Sequence, residues 1–160
     1  MPMEVFTEEW SRACCEALNR REAYRAAAAD WEGAIVLVMG ADPAHGVEAD
    51  RSVFIDAHRG ACRGARLAAD GEAETAPFVF RADVPTWKRL LGGEVDPVSA
   101  VMQGKLRLVR GGLFTVAKYA AAAREMIAAA AEVGGTFPEP RSSASDAAGS
   151  APVPSRRDGR

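Results

Sequence analysis

Chemically versatile side chains are scarce in this chain. Its 160 residues include two histidines and three cysteines. No Cys-x-x-Cys occurs, and no run of His, Cys and carboxylate has metal-ligand spacing, so no metal is expected. His58 follows Asp56 at strand spacing, which puts both on one face. Two groups are too few for a metal, and His45 and His58 read as surface or loop residues. There is no Gly-x-Ser-x-Gly, and no Gly-rich loop leads into Lys-Ser/Thr. Catalysis is therefore not expected, and neither is a cofactor.

Long apolar runs are missing too. None approaches the ~20 residues that cross a bilayer, so no integral membrane segment is expected. The N-terminus carries Glu4, Glu8 and Glu9 in place of a basic start, which argues against a secretory signal. Dense Lys/Arg runs are also lacking, and the formal net charge is −2. That excludes nucleic acid as an expected partner. Adjacent Cys14 and Cys15 cannot easily pair with each other. With Cys62 they read as reduced thiols in a cytoplasmic protein, and Cys14 and Cys15 as small buried residues of a helix.

What the chain does hold is alanine. Apolar residues make up 48% of it, but 33 are alanine, which leaves larger side chains for one compact core. Thr7 caps a first helix, with Glu8 and Glu9 in its positive first turn. Asn19 ends that helix and caps a second, with Glu22 at capping-box spacing. Ala34 to Met39, bounded by Gly33 and Gly40, reads as a central strand buried on both faces. Strands follow at Val53 to Asp56, Cys62 to Leu67 and Phe78 to Arg81, joined by turns and loops as in hairpins, with a turn at Asp70-Gly71. In these strands Val53 and Ile55 share one face and Phe54 the other, while Phe78 and Phe80 lie together.

The most informative stretch is 96–111. Asp96 caps a short helix that has Pro97 in its first turn. Gly104 stops it in the left-handed conformation. A strand follows at once, with Leu106 and Leu108 on one side and Lys105 and Arg107 on the other. Just before it, Asp83 caps a helix through Trp87, Leu90 and Leu91. After Gly111-Gly112 one long alanine-rich helix is expected over Leu113 to Glu132. From Pro138 on, the chain holds four prolines, five serines and four arginines among its last 23 residues. Residues 138–160 read as a disordered tail to a domain at 1–137.

The helix-Gly-Lys-strand unit resembles the one in the sterol carrier protein type-2 family. Trp10, Asn19, Tyr24, Trp31-Glu32-Gly33, Gly60-Ala61-Cys62, Asp83 and Trp87 fall in matching order, and Gly111-Gly112 departs from the family's Gly-Asp. The resemblance implies an α+β fold with a five-stranded, mostly antiparallel sheet covered by helices, and an apolar tunnel between the layers. It implies non-catalytic binding or carriage of an apolar lipid of the sterol, fatty acid or acyl-CoA class. The candidate cavity lining is Phe54, Phe78, Phe80, Trp87, Leu90, Val101, Met102, Leu106, Leu108, Leu113 and Val116. The expected partner is an apolar lipid, with transient membrane contact or a protein partner beside it. The alternative is a regulatory or interaction domain with a closed core.

Overall fold

The computed structural model describes residues 3–139. The sheet starts from Ile35–Met39 (β1), whose five apolar residues are buried on both faces apart from half-buried Leu37. Arg51–His58 (β2) pairs antiparallel with β1, and Ala61–Leu67 (β3) pairs antiparallel with β2. Phe78–Ala82 (β4) then returns to the other side of β1 and runs parallel to it. Arg107–Arg110 (β5) pairs antiparallel with β4, so the order is β3-β2-β1-β4-β5.

The sheet is thus mostly antiparallel, with one parallel pair at its centre. The expected hairpin between the third and fourth strands is not formed. The connection instead crosses one face of the sheet and carries a short helix, Glu72–Thr75 (α3), just after the expected Asp70-Gly71 turn. Ala68, Ala73 and Ala76 there cover Val36, Val38 and Val79. Small residues suit this site because the connection lies close to the sheet.

The other face carries the main core. Register places Ile35 opposite Ile55, and Leu37 opposite Val53 on one side and Phe80 on the other. Glu8–Asn19 (α1) packs along β3 and β2, and Glu22–Ala27 (α2) follows it. Val84–Leu91 (α4) and Pro97–Met102 (α5) lie before β5, and Leu113–Lys118 (α6) and Ala120–Val133 (α7) after it. Three expected caps are made. Thr7 Oγ1 accepts from the Trp10 amide at 3.3 Å, Asp83 Oδ1 from Thr86 at 2.9 Å and Asp96 Oδ2 from Ser99 at 3.0 Å. Gly104 ends α5 at φ +76°, a conformation that costs glycine little.

Four expectations are corrected. Asn19 does not cap α2. Its side chain bonds the backbone of Cys62 on both sides, and Arg21 stands at the N-cap of α2 with no side-chain hydrogen bond. Cys15 and Cys62 are not both free thiols but form a disulfide, with Cα atoms 5.5 Å apart. They are 47 residues apart in the chain, so only the packing of α1 on β3 brings them together. The long helix breaks at Tyr119, where φ is −104° and ψ 33°. There the tyrosine ring meets Trp31 edge-on at 4.9 Å and its hydroxyl donates to Asp30 Oδ1 at 3.0 Å. Leu106 precedes β5 rather than opening it, because its amide and that of Lys105 both donate to the Ala100 carbonyl.

The ends of the body are tied together. The Val5 amide donates to Thr136 O and the Thr136 amide to Met3 O. Trp10 Nε1 donates to Gly134 O at 3.0 Å. Pro138 is buried, and Gly46, at φ +84°, passes so close to Glu139 that a Cβ there would meet its carbonyl carbon at 2.6 Å. The remainder of the expected tail, 140–160, lies outside the described residues.

Candidate functional site

Between the helices and the sheet lies an apolar cavity of about 80 Å³. Its floor is Ile35, Leu37 and Phe80. Trp31 and Trp87 stand at its sides, and both indole N–H groups are spent on backbone carbonyls, of Gly33 at 2.8 Å and Val38 at 3.0 Å. Val98 and Val101 of α5 and Leu106 form one wall, and Val116 and Tyr119 another. The roof is α7, where Ala122, Ala123, Met126 and Ile127 recur at helical spacing. Alanine in the roof leaves room that a larger residue would fill. A second void of about 20 Å³ shares Leu37, Trp87, Met126 and Ile127 with the first and reaches Trp10, Cys14 and Leu18 under α1. The hollow interior therefore follows the sheet from α5 and α6 to α1.

One polar group in this wall has no partner. Tyr24 is 1% exposed, and its hydroxyl makes no hydrogen bond among the described residues. Burial pushes its pKa up to about 12. It stays neutral at any physiological pH and is free to donate or accept a single bond.

Phe80, Trp87, Val101, Leu106 and Val116 line the cavity. The other candidates lie elsewhere. Phe54 is on the opposite face of the sheet, where the Arg66 guanidinium sits 4.2 Å over its ring. Phe78 fills the space beside Trp31, with ring centroids 4.6 Å apart, and closes against Gly33 and Gly111. Leu90 is buried in the core and does not border the cavity. Met102 and Leu113 are 67% and 47% exposed, and Leu108 is half-buried on the edge strand.

Sequence reasoning missed Tyr24, Trp31, Tyr119, Met126 and Ile127 as wall residues. The series Tyr119, Ala122/Ala123, Met126 and Ile127 was a readable helical stripe. Tyr24 and Trp31 carried no signal beyond their size, because a tertiary fold alone brings α2 against α7 and the approach to β1 against Tyr119.

No charged side chain lines the cavity. Cys14 is buried and its thiol is pushed up to about 12 by desolvation. Asp56 pairs with Arg63 rather than His58, and His45 with Asp42. Among the described residues no group of three or more His, Cys, Asp or Glu could hold a metal. No described helix is long and apolar enough to cross a membrane.

Fold and cavity define a class of small α+β domains whose mixed sheet is roofed by helices over an apolar void. The chain belongs to the SCP-2 sterol transfer family, whose model matches residues 15–124. It is similar to the crystal structure of sterol carrier protein 2, with 45% identity over 82% of this chain and 100% of that one, and a TM-score of 0.76. It is equally similar, at 45% identity, to the solution structure of a conserved hypothetical protein from Thermus thermophilus. That match covers 84% of this chain and 92% of the other, with a TM-score of 0.75. A comparison with curated proteins finds no significant match.

Proposed function

We propose that this protein binds and carries an apolar lipid without transforming it, and that the cavity between α7 and the sheet receives the apolar chain. The observation that carries the reading is the wholly hydrocarbon and aromatic wall of that cavity in a member of a sterol transfer family. Enzymatic action is not part of the reading, since the wall offers no nucleophile, base or carboxylate. The Cys15–Cys62 bond removes the reduced-thiol argument for a cytoplasmic location, because disulfides persist in oxidising compartments.

At about 80 Å³ the cavity is smaller than the ~300–1,000 Å³ that enclose most small ligands. A lipid chain must therefore widen it. The six-residue helices α5 and α6 are the parts of the wall that yield most easily, because helices this short have little stability of their own. Widening would proceed toward the second void, which shares four wall residues with the first.

Burying roughly fifteen methylenes at ~0.8 kcal/mol each gives ~12 kcal/mol gross. Association costs of at least ~4 kcal/mol leave about 8, a micromolar affinity. The test is a titration with a fluorescent long-chain fatty acid. Native protein should bind one equivalent at micromolar concentration, and affinity should fall as the chain shortens. Ala123→Leu should fill the roof and weaken binding about tenfold or more while the thermal midpoint holds. Absence of binding to folded native protein would leave the closed-core interaction domain as the better account.

A further inference from the structure

We propose that the Tyr24 hydroxyl selects what the cavity holds: a long-chain lipid whose one polar group is an uncharged hydroxyl, seated with that group inward against Tyr24. The inference rests on the lipid-carrier reading and names the ligand class of the same cavity. Tyr24 belongs to α2, is 1% exposed and borders the first void. Buried hydroxyls rarely go unmatched, yet this one makes no hydrogen bond among the described residues. The other polar atoms on the aromatic wall residues are spent. Trp31 Nε1 donates to Gly33 O, Trp87 Nε1 to Val38 O and the Tyr119 hydroxyl to Asp30. Water is a poor partner for Tyr24, because a buried water needs several polar neighbours and the side chains around this void offer one open hydroxyl. A ligand that brings its own polar group is the better match.

Charge decides the class. No Lys, Arg, His, Asp or Glu lines the void. Arg21, one turn before Tyr24, is held by Glu125 and Glu132. A carboxylate brought to Tyr24 would be buried with one bond and no countercharge, which is strongly unfavourable. An alcohol brings no charge. It donates and accepts as the Tyr24 hydroxyl does, so the pair is satisfied in either sense. A bare hydrocarbon end leaves Tyr24 unmatched, and a site with an unmatched buried polar group rejects such an analogue. A fatty acid can enter only methyl end first, with its carboxylate left at the surface.

Shape agrees with a single chain. Tyr24 borders the first void but not the second, and the two voids share Leu37, Trp87, Met126 and Ile127. A lipid anchored by its oxygen at Tyr24 extends along that line toward α1. Voids this narrow suit one flexible alkyl chain better than fused rings.

The test is a set of titrations of native protein and Tyr24→Phe with dodecanol, dodecanoate and dodecyl chloride, read by the fluorescence of Trp31 and Trp87 in the wall. The chloride ends the same chain in a poor acceptor that cannot donate. Each ligand is compared with itself across the two proteins, so differences in water solubility cancel. Y24F should weaken dodecanol about tenfold, leave dodecanoate unchanged, and leave dodecyl chloride unchanged or tighter. The thermal midpoint of ligand-free Y24F checks that it is folded. A tyrosine that only supports the fold would shift all three ligands alike, and that result overturns the proposal, as does a dodecanol affinity that Y24F leaves unchanged. If the native protein binds these ligands but Y24F does not single out the alcohol, the carrier reading stands and the role of Tyr24 falls. Failure of folded native protein to bind any of the three removes both.

Discussion

Asn19 and Cys62 are joined by two hydrogen bonds, each 2.9 Å long. Asn19 Nδ2 donates to the Cys62 carbonyl, and the Cys62 amide donates to Asn19 Oδ1. The carboxamide thus stands where the backbone amide of a further strand would lie, on the free edge of β3. An open edge is a template for unwanted pairing, and this side chain closes part of it while fixing the end of α1 to the sheet.

Asn19→Ala removes both bonds and leaves a part-buried amide and carbonyl without partners. A loss of about 1–3 kcal/mol is expected in chemical denaturation. Hydrogen exchange at the Cys62 amide should rise more than exchange in β1. An unchanged denaturation midpoint would mean that water replaces the carboxamide at no cost.

The cysteines predict an alkylation pattern. Cys14 is buried, with its thiol pushed up to about 12, and Cys15 is bonded to Cys62. Iodoacetamide near neutral pH should leave native protein unmodified, since the thiolate is the reactive form. Denatured, unreduced protein should gain one adduct, and reduced protein three. Three adducts without reductant would show that the disulfide is not formed. Reduction should also lower stability by about 2–4 kcal/mol, the usual contribution of a bond that closes a loop of this order.

Tyr24→Phe should leave the ligand-free protein as stable as before, or more stable by about 1 kcal/mol. The hydroxyl is buried with no bond among the described residues, and an unmatched buried polar group is unfavourable. The thermal midpoint is the measurement. A marked drop would reveal a partner for the hydroxyl, such as an ordered water in the cavity.

The 106–108 segment predicts a graded series. Leu106 is 4% exposed in the cavity wall, so Leu106→Asp buries a carboxylate at a cost of several kcal/mol, against a typical total of ~5–15. Leu108 is half-buried and Leu108→Asp should cost less. Arg107 is exposed, and Arg107→Asp should stay within about 0.5 kcal/mol. Equal losses at all three positions, measured by urea denaturation, would contradict the observed burial.

Glu72 predicts a pH dependence. Arg66 holds its carboxylate with bonds of 2.7 and 2.9 Å, and the Ala69 amide adds another. The Arg66 guanidinium, then that amide, lowers the Glu72 pKa from its ordinary value of 4.5 to about 2. A depressed acid contributes its stability fully above the unfolded value and loses it as pH falls through the folded one. The difference in thermal midpoint between native protein and Glu72→Gln should therefore be constant above about pH 5 and shrink toward zero by about pH 2. It should be small and weaker in salt, because the pair is partly exposed to solvent. A difference that grows on acidification would reverse the sign of the coupling.

Much of this protein is written locally. Thr7, Asp83 and Asp96 cap helices because a short polar side chain reaches an amide three residues on, and Gly104 stops one because it lacks a Cβ. Ile35–Met39 had to be a covered strand, since its apolar residues occupy both faces. The order of these signals sufficed to suggest the family. Other features depend on pieces that meet only when the chain folds. β4 joins β1 in parallel because the sheet's own twist and cover decide who neighbours whom, and turn residues do not encode that choice. The break at Tyr119 opposes strong helix propensity and exists because Trp31 and Asp30 hold the ring. Cys15 found Cys62, and Asn19 found the same residue, through the packing of α1 on β3. The cavity is the clearest case. Phe54 and Phe80 are equally apolar in the sequence, and one bit of register sends the first beneath Arg66 and the second to the cavity floor. Which apolar residues fill a core and which leave it hollow is settled by the summed volumes of facing side chains, and that sum exists only in the folded molecule.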